Sequence, residues 1–317
     1  MKILYLDCFS GISGDMTVGA LSDLGVNQEL IIAGIKKLKL ENEVELAWKK
    51  VNKKGITATK FDVIIKEHHT TKNHHETKHV HSQNDNHSHS HGHSHDHSHD
   101  QSHGHSHDHS HGHSHDHSHD QSHGHSHDHT HSDSHGHSHD HNHNHSHGHS
   151  HYSQIVRLIE SSELNDRVKE ISISIFTKIG EAEAKIHGIP LSKVHFHEVG
   201  AVDSIVDIVG TAIAIDSLNI DKVVCSQIPV GNGKIMIDHG LYPVPAPATL
   251  DILKGIPLAK SDINGELTTP TGAGIAATLA QEFGPIPGMI VEEIGYGAGT
   301  KDFDNHPNVL RVLIGEL

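Results

Sequence analysis

Only two cysteines, Cys8 and Cys225, occur in 317 residues, so no disulfide framework holds this chain. Aromatic residues amount to 3% and tryptophan occurs once, which leaves the core to aliphatic side chains. Positive charge is scarce: 24 lysines and arginines face 40 aspartates and glutamates, for a formal net charge of −16. No basic stripe exists to neutralise phosphates, which argues against a nucleic-acid partner. Long apolar runs are missing as well. The opening MKILYLDCFSG has too few apolar residues before Asp7 for a signal peptide, and the stretch IVDIVGTAIAI contains Asp207 and is too short to span a bilayer. The expectation is a cytoplasmic protein with no membrane partner.

Histidine is what the chain has in excess. Of 41 histidines, 36 fall between His68 and His151, where Ser, Gly, Asp and Asn fill the gaps and the unit HGHSHDHSHDQS recurs at 91–102 and 111–122. A segment so poor in apolar groups cannot offset its ordering entropy, so a long disordered insert is expected over 68–151. Imidazoles at every second position, His91, His93, His95, His97 and His99 among them, suit borderline divalent cations. Only neutral imidazole binds metal, so mild acid should release them.

The flanking residues, 1–67 and 152–317, read as two parts of one core. KILYLD is a short apolar strand, followed by a glycine loop that opens a helix stopping at Gly25. EVELAWKKV and FDVIIK have strand character around the turn KKGI. Leu164, Val168, Ile171, Ile175, Ile179, Ala182 and Ile186 step by three or four along a long amphipathic helix. VDSIVDIVGTAIAIDSL is a helix apolar nearly all round, hence buried. KVVCSQIPV and GKIMI are strands, PAPATLDILKG and TPTGAGIAATLAQEFG are helices, and GMIVEEIGYG and NVLRVLIGE close the chain as strands, with GYGAGTKD as a loop into the last one. This alternation predicts an α/β or α+β fold, a mixed sheet layered with helices.

Ligand-type side chains are densest in HFHEVGAVDSIVD. His195 and His197 are two apart, so an extended segment turns both rings to one side, and Asp203 and Asp207 lie four apart on one helical face. Asp207, among Ile205, Val206, Ile208 and Val209, needs a partner, since an unpaired buried carboxylate costs several kcal/mol. A metal would supply it, and two imidazoles with carboxylates suit Ni, Zn, Fe or Mn. Ordinary helix capping and hydrogen bonding are the alternative. In DCFSGISGDM, Gly11, Ser13 and Gly14 precede a helix start, where N–H groups favour an anion, and Asp7 and Asp15 bracket the loop with further metal or base groups. GELTTPTGAG sets Thr268, Thr269 and Thr271 at another helix start, and capping accounts for one of them. His239 stands before a proline-stiffened loop, and Cys8 reads as a small buried residue.

DCFSGISGDM, HFHEVGAVDSIVDIVG, PVPAPAT, ELTTPTGAG and GYGAGTKDF, in this order around a histidine-rich insert, resemble the LarC family over nearly all of 1–67 and 152–317. The resemblance implies a nickel chelatase of the lyase class that inserts Ni(II) into pyridinium-3,5-bisthiocarboxylic acid mononucleotide, completing the nickel-pincer cofactor that lactate racemase apoprotein receives. It also implies consumption of CTP, bound with Mn or Mg by a C-terminal region that would lie beyond Leu317, as a separately encoded partner or a missing portion. Forming the nickel–carbon bond expels a ring proton, and Glu198, Asp203 and His197 are candidates for base or ligand. The ligand set then draws on His195, His197, Glu198, Asp203, Asp207, Asp7 and Asp15; Gly11, Ser13, Gly14, Thr268, Thr269, Thr271 and His239 would hold the substrate and its phosphate. Two other functions fit the same residues: a nickel or zinc store or metallochaperone acting through the tract, and a metal-dependent phosphate-ester hydrolase.

Overall fold

A computed structural model of the chain describes residues 1–66, 151–196, 199, 201–237 and 239–317. The histidine tract up to residue 150, His91, His93, His95, His97 and His99 within it, and also His197 and Glu198, lie outside the described residues.

The chain opens with β1 (Lys2–Asp7), α1 (Gly14–Asp23), α2 (Gln28–Lys36) and the hairpin β2 (Val44–Lys53) and β3 (Ile56–Ile65). After the tract come α3 (Tyr152–Glu160), α4 (Asp166–His187), α5 (Val202–Leu218) and β4 (Lys222–Cys225). Short strands follow: β5 (Ile228–Pro229), β6 (Gly231–Asn232), β7 (Lys234–Ile237) and β8 (Gly240–Pro243). Next are α6 (Pro247–Ile252), β9 (Leu258–Ala259), β10 (Gly265–Glu266), α7 (Pro270–Leu279), β11 (Glu282–Phe283), β12 (Ile290–Ala298) and β13 (Val309–Glu316). Seven strands make one sheet, in the order β11-β4-β1-β13-β12-β3-β2. It is mixed: β1 runs parallel to β4 and antiparallel to β13, and β12 is antiparallel to β13 but parallel to β3.

Alternation along the strands divides the core. Leu4 and Leu6 of β1 with Leu310, Val312 and Ile314 of β13 pack beneath the helices, while Ile3, Tyr5, Val224 and Leu313 form a smaller cluster on the opposite face. The α5 helix is the hub, apolar nearly all round because α1, α2 and α4 enclose it. The capping chemistry is local: Asn165 accepts the Val168 amide at 2.8 Å to start α4, and Gly188 ends it in the left-handed conformation.

Gly295 and Gly297 lie in β12, the strand expected at GMIVEEIGYG, which runs on to Ala298, so the loop expected at GYGAGTKD begins only after it; α1 lies directly on these glycines, a Cβ on Gly297 standing 1.8 Å from the Met16 carbonyl oxygen and one on Gly295 2.2 Å from that of Ala20. Two sequence expectations need correction. The helix at TPTGAGIAATLAQEFG stops at Leu279, since Glu282 and Phe283 pair with β4 as a sheet edge. And α2 and α3, nine residues each, went unforeseen. No described helix is long and apolar enough to cross a membrane.

Candidate functional site

Three helix starts converge on one pocket. The glycine loop before α1 lies against the threonine segment before α7: Ile12 bridges Thr268, and the Thr269 amide donates to the Ile12 carbonyl at 3.2 Å. Both partners need a bare backbone for this approach. Gly11 sits at φ +86° with its hydrogen facing the Leu267 carbonyl, and a Cβ on Gly272 would be 1.9 Å from the Ile12 oxygen. Thr269 caps α7 by accepting the Gly272 amide at 3.1 Å. The start of α5 closes the third side, packed so tightly on α1 that a Cβ on Gly14 would stand 2.5 Å from Asp207 Oδ2.

The resulting cavity, about 360 Å³, is lined by Ser13, Gly14 and Asp15 from α1, Asp203, Ser204 and Asp207 from α5, and Thr269, Pro270 and Thr271 from α7. Lys60, Phe61, Asp62 and Val63 of β3, with Val199, Glu266 and Thr300, complete the wall. Lys60 is buried and donates to Asp15 at 2.8 Å, to Asp62 at 3.0 Å and to the Phe61 carbonyl at 2.8 Å. Burial alone would pull the Lys60 ammonium down, but Asp15 and Asp62 outweigh it and hold it above its ordinary value. Asp62 moves the other way: burial would raise it, yet the ammonium groups of Lys60 and Lys49 hold it below the usual carboxylate range.

Asp207 is the anomaly. Its carboxyl is fully enclosed, and burial first, then the charges of Asp15 and Asp203, push it well above the usual range, against Lys60 and the Asp15 amide, which act to lower it. Its Oδ1 has no hydrogen-bond partner. Native interiors rarely leave a buried polar atom unmatched, so the feature requires a reason. Among the described lining residues, five carboxyl groups face one ammonium. A cation entering this cavity relieves repulsion, and the helix starts can still donate N–H groups to an anionic group that arrives with it. Among the described residues, no three His, Cys, Asp or Glu side chains are already gathered to hold a metal ion.

The structure therefore brings Ser13, Gly14, Asp15, Asp203, Asp207, Thr269 and Thr271 together, with Gly11 supporting the loop behind them. Others lie elsewhere. Asp7 is ion-paired with Arg311, whose Nε donates at 2.8 Å. Thr268 is buried and spends its hydroxyl on the Pro229 carbonyl at 2.7 Å. His239 lines a neighbouring pocket of about 300 Å³ with Glu183, His187 and Tyr242, sharing Pro270 with the first. His195 is exposed and meets His151. Cys8 is buried, 3.6 Å from Cys225 through sulfur, and this contact and then burial push its thiol up, away from nucleophilic use. Sequence reasoning missed Lys60 and Asp62. Their signal was present: opposite charges two apart on a strand share a face, and here that face is the pocket wall.

Comparison with known proteins bears on the same residues. A family model described as nickel insertion protein matches residues 4–317. A pyridinium-3,5-bisthiocarboxylic acid mononucleotide nickel insertion protein of Geobacillus kaustophilus is 48% identical over 316 residues, covering 100% of this chain and 60% of the relative. Proteins with the same name from Clostridium acetobutylicum and Staphylococcus epidermidis are 45% and 41% identical, with 64% and 59% of their lengths covered. The chain thus spans about three-fifths of the length of these curated relatives. No solved structure matches it significantly. A family match from residue 4 to the last residue, with full-chain identities between 41 and 48%, establishes that this chain belongs to the nickel insertion protein family.

Proposed function

We propose that the chain carries the nickel-insertion step on pyridinium-3,5-bisthiocarboxylic acid mononucleotide, and that the cavity between the starts of α1, α5 and α7 is where it happens. The observation that supports this reading is the enclosed Asp207 carboxyl, its Oδ1 without a partner, beside Asp15 and Asp203. Nickel is a substrate here, as a divalent cation that this carboxylate group would receive, with His197 and Glu198 on the segment entering α5 as further ligands. The thiocarboxylates and phosphate are anionic, and the amides and hydroxyls of Ser13, Thr269 and Thr271, with the Lys60 ammonium, suit them. When the metal–carbon bond forms, the ring C–H bond breaks and its proton passes to a carboxylate or imidazole of the same group. Consumption of CTP with Mn or Mg, a lyase-type classification, and delivery of the product to lactate racemase belong to the complete system.

A storage role alone would need no such cavity. The deciding experiment follows metallated product by mass spectrometry, with nickel, CTP and the mononucleotide, using this chain together with the rest of a full-length relative. Asp203→Asn should lower the rate by about ten- to a hundredfold, as loss of a ligand's orienting partner does, while the variant keeps its melting behaviour. An unchanged rate would remove the cavity from the reaction.

A further inference from the structure

The histidine tract ends in sequence at His151, and the fold gives that residue a specific neighbour. His151 and His195 form an antiparallel bridge, and the Tyr152 amide donates to the Val194 carbonyl at 3.1 Å. Their rings meet with centroids 4.7 Å apart at 89°. Two imidazoles in adjacent positions on one ion have metal–nitrogen bonds of about 2.1 Å, with each ring centre about 1.2 Å further out, so their centres fall about 4.7 Å apart at a right angle and about 5.4 Å apart in a tetrahedral site. The observed separation, also an ordinary edge-to-face ring contact, leaves the two rings within the reach of one ion.

We infer that His151 and His195 are a receiving pair for a borderline divalent cation, a two-imidazole site that takes an ion from the tract and passes it toward the cavity at α5. That the ion is nickel rests on the function proposed above. Alternation supplies the mechanics. His151 and His195 stand outside, while Val194 and Phe196 are buried and the Tyr152 hydroxyl meets Thr177 Oγ1 at 2.9 Å. Phe196 packs near Tyr152 and Phe176, with ring centres 6.5 and 6.1 Å away. The crossing is thus fixed from within, and its two exposed rings are held in place by it.

Ligand chemistry sets the class of ion. Imidazole pairs favour nickel, zinc or copper over magnesium or calcium, which take oxygen ligands. A pair of imidazoles alone holds such an ion weakly enough to exchange, as transfer requires. In sequence the cavity is near: Val199, four residues past His195, lies on its wall.

The test is site-resolved carbethoxylation of the full-length chain with diethyl pyrocarbonate, read by peptide mass spectrometry with and without nickel(II) sulfate. Nickel should slow modification of both His151 and His195 by about fivefold or more, since only an unligated imidazole nitrogen reacts. In His195→Gln the protection of His151 should vanish, and in His151→Gln that of His195, while the tract histidines remain protected in both. If His151 stays protected in His195→Gln, or if either residue reacts equally fast with and without nickel, the pair is not a site. No mononucleotide is needed, so failure of nickel insertion in a separate assay would overturn the proposed function and leave the receiving pair standing.

Discussion

Asp207 was the residue whose sequence surroundings demanded a partner, and in the fold its Oδ1 is left without one. A sign follows for stability. In the unfolded chain an aspartate ionises near pH 3.9, whereas the enclosed carboxyl of Asp207 holds its proton to well above that. Its contribution to folding is fully present below about pH 3.9 and is lost as pH rises through the raised folded value. Asp207→Asn mimics the protonated acid at every pH. Melting scans should therefore show the variant more stable than the parent at pH 7, by about 2–4 °C for each kcal/mol relieved, with the difference closing toward pH 4. Nickel insertion should fall in the same variant, a gain in stability against a loss of activity that marks a functional carboxylate. A variant less stable at pH 7 would show that the ionised group is structural. Lys60 illustrates what a sequence hides at this scale: a lysine in a strand reads as solvent-facing until tertiary packing encloses it between Asp15 and Asp62.

Elements with a strong period were legible. The four-residue stepping from Leu164 to Ile186 became α4, and the nearly all-apolar segment 202–218 became α5 with the same boundaries. Elements defined by their neighbours were not. The glycines of GYG fitted the end of a strand and the start of a loop alike, because the reason for them, the backbone of α1 resting on β12, lies more than 270 residues away in sequence. The α2 helix carried a local sign, Asn27 accepting the Glu29 amide at 3.0 Å, but α3 begins at His151 with no side-chain cap and depends on burying Ile155 and Ile159. The two functional loops were recognised separately; their contact was not. That contact gives a test: Gly272→Ala drives a methyl into the Ile12 carbonyl, where neither backbone can withdraw. A loss of about 2–4 kcal/mol in chemical denaturation is expected, as for overpacking against fixed backbone. A near-neutral result would mean the α1 and α7 starts separate readily.

For the molecule as a whole, the described residues before and after the tract belong to one compact unit, although the tract divides them in sequence. Replacing 68–150 by a short flexible linker, so that His151 is kept, should leave the denaturation midpoint nearly unchanged while equilibrium dialysis shows far fewer nickel ions per chain. Insertion in the complete system should persist at plentiful nickel and fall when nickel is scarce. A folded but inactive product at saturating nickel would place the tract inside the reaction. The sheet order has a further consequence, for synthesis. Because β13 lies between β1 and β12, with Lys2 opposite Glu316, the centre of the sheet is assembled from strands more than 300 residues apart in sequence. Before β13 is made, β2, β3 and β12 can pair with one another and so can β1, β4 and β11, but these two halves of the sheet are joined only through β13. Such high contact order slows folding and exposes unpaired edges to other nascent chains. The tract adds little to this burden, since lengthening the closed loop by roughly a third costs about 0.3 kcal/mol. Synthesis of β13, which joins the two halves of the sheet, weighs more on folding than the length of the histidine insert.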